Sequence, residues 1–207
     1  MRGSAYVHSR RKRCLDIAVT AVAVVPVVPI LAVAGAAVRL ESRGHPIYRQ
    51  RRVGQDGHEF DVIKLRTMVT GAEKIGAGLA IDEGDTRITR VGALLRRTSI
   101  DELPNLLNIL RGEMSIVGPR PTLKVQVDQY TDRQRLRLEA RPGLTGWAQV
   151  NGRASLPWPE RIELDLWYVE HRSPAVDLRI LLRTPLALFG GTYKGETGGW
   201  KPVDSAD

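Results

Sequence analysis

The chain has 207 residues, with 31 Lys and Arg against 23 Asp and Glu, a formal net charge of +8. Its 43% hydrophobic and 26% charged residues are those of a folding chain and exclude a disordered one, and its length suits one domain, or one domain with an appendage. A single cysteine, Cys14, excludes a disulfide framework, a CxxC pair and a Cys-based zinc cluster within one chain. Four histidines without HExxH spacing speak against a histidine-rich metal site. The positive balance favours an anionic partner: nucleic acid, a phospholipid surface or a phosphorylated substrate.

The first element is apolar. Residues 17–38 carry no charge and are filled with Ala, Val, Ile and Leu, a run of about 33 Å if helical, which matches a bilayer core. Pro26 and Pro29 fall in its middle and predict a bend, because each removes a backbone donor and disfavours helix in the residue before it. Both flanks are basic, with Arg10, Arg11, Lys12 and Arg13 before and Arg39 and Arg43 after. A spanning helix carries its positive charge on one side, so symmetric flanks favour a helix-break-helix that enters one leaflet and returns to the same face. A straight span and a cleaved signal peptide, with Ala32 and Ala34 as its small residues, stay open as alternatives.

Further along, residues 46–48 read as extended and 54–57 (GQDG) as a turn. Residues 59–68 read as a strand with Phe60, Val62, Lys64 and Arg66 on one face. Residues 71–85, rich in Gly and acids, predict a loop, and 88–97 a helix. Residues 99–112 predict the clearest amphipathic helix, with Leu103, Leu106, Leu107 and Leu110 at i, i+3, i+4, i+7. Asp101 is its expected N-cap, with Pro104 at N3, in preference to a Ser99–Glu102 capping box; Arg111 and Gly112 end it. Arg120 is held between Pro119 and Pro121. A polar helix is expected over 126–140, then a Pro-Gly turn, a short strand and an Asn-Gly turn over 141–153. Residues 159–171 predict a helix with Ile162, Leu166 and Val169 inward and Asp165 near that face. Residues 177–189, mixing Leu with Arg179 and Arg183, predict a helix lying on a membrane surface, and the Gly-rich end from 190 a loose tail.

Asp101 and Glu102 are the sharpest chemical feature. Adjacent acids at a helix start are most often caps and dipole partners. The same place also attracts phosphate and keeps a carboxylate ionised as a nucleophile, and two neighbouring carboxylates invite a divalent cation. Arg120, on a backbone stiffened by prolines, suits bidentate phosphate recognition; a turn with a surface salt bridge is the plainer reading. Asp165 reads as a buried partner for an arginine or as a site residue. The absence of GxxxxGK[ST], GxSxG and a strand-linked GxGxxG leaves P-loop, hydrolase-elbow and Rossmann readings without support. A basic, membrane-tethered protein that binds nucleic acid or anionic lipid would account for the charge, but not for an acidic pair among arginines.

In order along the chain stand KRCLDI with the apolar run, PIYRQRRVG, FDVIKLRTM, RVGALLRRTSIDELPNLLNILRGEMSIVGPRP, RPGLTGWAQVNGR and ELDLWYVEH. This ordered set resembles the bacterial sugar transferases, the small monotopic polyprenyl-phosphate phosphoglycosyl transferases, over roughly residues 11 to 185. The resemblance implies a mainly helical α/β fold: a basic segment 1–13, a re-entrant membrane hairpin 14–40 broken at Pro26 and Pro29, a small cytosolic catalytic domain 41–189 with interfacial amphipathic helices, and a tail 190–207. It implies transfer of a sugar 1-phosphate from a UDP-sugar to polyprenyl (undecaprenyl) phosphate with release of UMP, the first membrane step of a glycoconjugate pathway at the bacterial inner membrane. Asp101 would be the nucleophile that forms a phosphosugar-aspartate, and Glu102 would hold Mg²⁺. Lys64, Arg66, Arg96, Arg120, Arg141 and Asp165 would contact phosphates or organise the site. Membrane phospholipid is an implied partner and nucleic acid is not; a homodimer is left open. One departure is Val28-Pro29, where relatives commonly carry Ser-Pro.

Overall fold

The computed structural model describes residues 10–75, 84–152 and 156–189; the tail from 190 and much of the 71–85 loop lie outside the described residues. A long helix α1 (Arg10–Glu41) leads into a hairpin of β1 (Ile47–Val53) and β2 (Glu59–Leu65). Helix α2 (Arg90–Thr98), a 3-10 turn (Ile100–Asn105) and α3 (Leu106–Arg111) follow, then β3 (Ser115–Val117), α4 (Lys124–Val127) and α5 (Asp132–Arg135), which continues as a 3-10 turn (Leu136–Glu139). Strand β4 (Gly143–Thr145) and α6 (Trp147–Val150) precede two longer helices, α7 (Trp158–His171) and α8 (Pro174–Phe189). β1 and β2 pair antiparallel, with Tyr48 opposite Lys64, and β3 pairs parallel with β4. The described chain is thus mainly helical around two small two-stranded sheets.

Among the described residues α1 is the one helix long and apolar enough to cross a membrane, at about 48 Å. The sequence predicts a helix-break-helix interrupted at Pro26 and Pro29, whereas helical conformation continues through both prolines, so the helix is not interrupted there. Prolines are tolerated in such helices because neighbouring groups make up for the lost donors. One side of α1 packs on the rest of the chain. Val19, Ala23, Val24 and Val27 lie against the core of Phe60, Val62, Ile109, Ile116 and Ile180, and Leu31, Ala34 and Val38 against Leu65 and Leu95. The opposite side is bare, with Val22 76%, Val33 72% and Leu40 88% exposed.

Both ends of α1 are fastened by polar bonds. Lys12 Nζ lies 2.6 Å from Asp177 and 3.3 Å from Asp16, Asp16 accepts from Ser115 Oγ and Ile116 N–H, and Tyr168 donates its hydroxyl to Asp177 at 2.8 Å. Arg13 donates to the Ile109 and Leu110 carbonyls at the end of α3. At the far end Glu41 accepts from the Arg90 and Val91 N–H groups, satisfying donors that the start of α2 leaves open.

Three expected elements differ. The helix over 99–112 is divided, because Pro104 has no N–H to give and sits inside a 3-10 turn, with regular α-helix resuming at Leu106. Asp101 accordingly lies within that turn rather than capping it, and the Ser99 position makes no side-chain cap either. The polar helix over 126–140 breaks at Thr131, which restarts it through a reciprocal cap with Gln134. The strand over 59–68 ends at Leu65, beyond which Met68 only bridges Ile88. The last two helices stand as expected, α8 starting slightly earlier.

Candidate active site

The acidic pair is placed by a reversal after α2. Ser99 adopts the left-handed conformation (φ 56°, ψ 19°), which turns the 3-10 segment back onto β2. Strand β2 gives one edge to β1; on the other, Ile63 N–H donates to Asn105 Oδ1 (3.1 Å) and Asn108 Oδ1 (3.3 Å). Asn108 Nδ2 returns a bond to the Asp61 carbonyl at 2.7 Å. Two asparagines thus stand in for a third strand and fix the turn beside Lys64. Close approach of α2 is allowed by Gly92, where a Cβ would come within 2.0 Å of the Thr67 carbonyl.

Asp101, 4% exposed, and Glu102 line a cleft of about 660 Å³. Glu102 pairs with Lys64 Nζ at 3.1 Å and Arg120 Nη2 at 2.7 Å, so the Pro-Arg-Pro loop and β2 converge on one carboxylate. Lys64, Arg66, Arg96, Arg120 and Asp165 all line this cleft; Arg141 is not among its lining residues, and its carbonyl packs against Gly118 instead. Arg96 donates Nε to Thr67 Oγ1 at 2.7 Å. Arg66 is largely occupied: its Nη atoms donate to the Ser42 and Arg43 carbonyls at the end of α1 and to Thr70. Its Nε is buried without a hydrogen-bond partner, and burial, aided by nearby Arg39, lowers its pKa.

Asp165 is the buried partner of an arginine and also borders the cleft. It pairs with Arg137 at 2.7 Å, both side chains being almost fully buried. Burial pushes its carboxyl above the usual range, with Arg137 opposing; one oxygen, Oδ1, has no hydrogen-bond partner. Arg137 also donates to Tyr130 Oη (2.7 Å), Thr122 Oγ1 (3.2 Å) and the Arg120 carbonyl (2.6 Å), and so sets the backbone that carries Arg120. Sequence reasoning missed Arg137, buried in a segment that reads as uniformly polar. It also missed Arg161, another cleft residue, although its i,i+4 spacing to Asp165 was a usable signal.

Magnesium is typically held by one or two carboxylates together with substrate phosphates. Among the described residues no three carboxylate, histidine or cysteine groups cluster; the adjacent acids Asp101 and Glu102 are the carboxylates at hand, and that of Glu102 is ion-paired with Lys64 and Arg120. An acidic pair in an arginine-lined cleft, beside a long apolar helix, has the make-up of a membrane-associated enzyme for anionic substrates.

Comparison with known proteins agrees. The family model described as bacterial sugar transferase matches residues 7–191. The chain is 45% identical over 187 residues to the UDP-glucose:undecaprenyl-phosphate glucose-1-phosphate transferase of Caulobacter vibrioides, covering 86% of this chain and 70% of that one. It is 42% identical over 173 residues to the uncharacterized sugar transferase EpsL of Bacillus subtilis, 84% of each chain. With the exopolysaccharide production protein ExoY of Rhizobium meliloti it shares 36% over 198 residues, 88% of each. The chain belongs to the bacterial sugar transferase family and is a transferase.

Proposed function

We propose that this chain transfers a sugar 1-phosphate from a UDP-sugar to polyprenyl phosphate, releasing UMP, in a polysaccharide-building pathway at the bacterial inner membrane. The observation that carries this reading is the buried Asp101 next to Glu102, in a cleft whose cations, Lys64 and Arg120 among them, already gather around one carboxylate. The names of the Caulobacter and Rhizobium relatives support the donor, the acceptor and the pathway. In the first half-reaction an Asp101 oxygen attacks the β-phosphorus. A carboxylate–phosphorus bond forms, the pyrophosphate P–O bond breaks, and UMP leaves with the electron pair. In the second, a phosphate oxygen of the lipid attacks the same phosphorus and Asp101 is regenerated as a carboxylate. Lys64, Arg96 and Arg120 offset charge on the transferring group. Glu102 is the residue that would hold Mg²⁺, and bound there the ion would add positive charge against the phosphates.

The membrane part of the proposal is a re-entrant α1 (residues 14–40) with residues 41–189 on the cytoplasmic face. Support comes from the two fastened ends: Lys12 and Arg13 at one, Glu41 at the other, all bonded to the same body. A helix crossing the bilayer would carry one of these ends to the far side.

Replacing Asp101 by Asn tests the chemistry. Turnover of UDP-sugar plus undecaprenyl phosphate to UMP is expected to fall by at least about 10³-fold while the fold persists, and intact-mass analysis of wild-type protein given donor alone is expected to show a sugar-phosphate adduct. Near-normal UMP release by the variant would refute Asp101 as nucleophile.

A further inference from the structure

Besides its cations, the cleft wall includes Leu144 of β4 and Leu181 of α8. Each is half-buried, packed on one side against the cluster that holds Ile116 and Ile180 and open on the other to the cleft. Thr145 and Thr184, which also line the cleft, bond each other at 2.8 Å and hold β4 against α8, so the two leucines form one apolar patch. Ile116, a third lining residue, lies on β3 beside that patch and four positions before Arg120. Four extended residues reach at most about 14 Å, which bounds the distance from the patch to the arginine that pairs with Glu102. The outer side of α8 is apolar as well: Leu178, Leu182 and Leu186 are exposed at i, i+4, i+8. Leu181 and Leu182, neighbours in the chain, thus carry apolar surface around the helix from the cleft to the exterior.

We propose that Leu144, Leu181 and Ile116 form the acceptor subsite, covered by the first isoprene units of the polyprenyl phosphate, and that the lipid enters past α8. The inference rests on the transferase reading above. A UDP-sugar has no apolar segment to cover two half-buried leucines. A polyprenyl phosphate carries its phosphate at one end and continuous hydrocarbon beyond it, the two chemistries that Arg120 and the leucines offer within that reach. The exposed leucines of α8 set this end of the cleft beside the hydrocarbon from which such a lipid comes.

The substitution Leu181→Gln keeps helix propensity and side-chain reach and puts an amide into the patch. In the full chain, at fixed detergent and saturating UDP-sugar, KM for undecaprenyl phosphate is expected to rise about tenfold. KM for the UDP-sugar is expected to stay within about twofold, a split that a merely structural role would not give. Leu181→Met, apolar and of similar volume, is expected to bring the acceptor KM back to within about threefold of wild type. Leu144→Gln, on a different element, is expected to act as Leu181→Gln does, so misfolding of one variant leaves the other to decide. A parallel rise in both KM values assigns the patch to the donor and overturns the inference. An unchanged acceptor KM in the folded glutamine variants overturns it as well, and leaves the transferase reading intact. A wild-type chain that releases no UMP from any UDP-sugar with undecaprenyl phosphate defeats both.

Discussion

At Arg137 a single buried side chain carries structure and site together. Its guanidinium spends its bonds on Asp165, Tyr130, Thr122 and the carbonyl of Arg120, in a geometry that an ammonium cannot reproduce. Arg137→Lys is therefore expected to cost about 2–4 kcal/mol in denaturant unfolding and to raise KM for the donor, since Arg120 loses the bond that sets its backbone. Replacing both Arg137 and Asp165 by apolar residues of similar size is expected to cost less stability than Arg137→Met alone, because the single change leaves the Asp165 carboxylate buried and without its cation; a double variant that is the less stable of the two would count against this account. The sequence made Asp101, Glu102 and Arg120 stand out, through adjacent acids and a stiffened backbone. Arg137 was invisible there, because a buried arginine and a solvated one look alike until the carboxylate that pairs with it is brought across by the fold.

Helix α2 shows what an element owes to another element. Its first N–H groups bond Glu41, 49 residues earlier for Arg90. Desolvation, the largest single influence, works to raise the Glu41 carboxyl, but hydrogen bonds from Thr89, Val91 and Arg90 together with the charge of Arg90 outweigh it and hold the pKa below the ordinary 4.5. A depressed carboxylate pKa gives stability that is complete above that ordinary value and lost as pH falls through the folded one. Glu41→Gln is thus expected to lower stability near neutral pH by about 0.5–1 kcal/mol, and the gap in unfolding temperature from wild type should close as the solution is taken to about pH 3. A gap that stays constant with pH would assign the loss to something other than this cap. Elements with strong local patterns, α7 and α8 above all, were legible from periodicity alone. The 99–112 segment was half legible: helix does form there, but the leucine spacing misplaced its buried side, since Leu107 and Leu110 are exposed while Leu106, Ile109, Asn105 and Asn108 are buried, and the 3-10 turn came from Pro104 and from side chains that cap a strand edge 42 and 45 residues earlier, which no local window contains.

For the whole molecule the question is which way α1 faces. Composition alone allowed a hairpin, a span or a leader; the two fastened ends argue for one side. In a Cys14→Ser background, cysteines at Arg10 and at Arg43 should both react with a membrane-impermeant maleimide in inside-out vesicles and in neither case in right-side-out ones. Labelling of the two from opposite sides would instead establish a span. The packing of α1 also bears on how the enzyme can be handled. Val19, Ala23, Val24 and Val27 complete the cluster around Ile116 and Ile180, and Lys12 is the cation that neutralises Asp177. A chain cut back to residue 42 to obtain a water-soluble form would lose a wall of its interior, not merely a tether, and should come out of expression as aggregate; detergent, and not truncation, is the route to a working preparation.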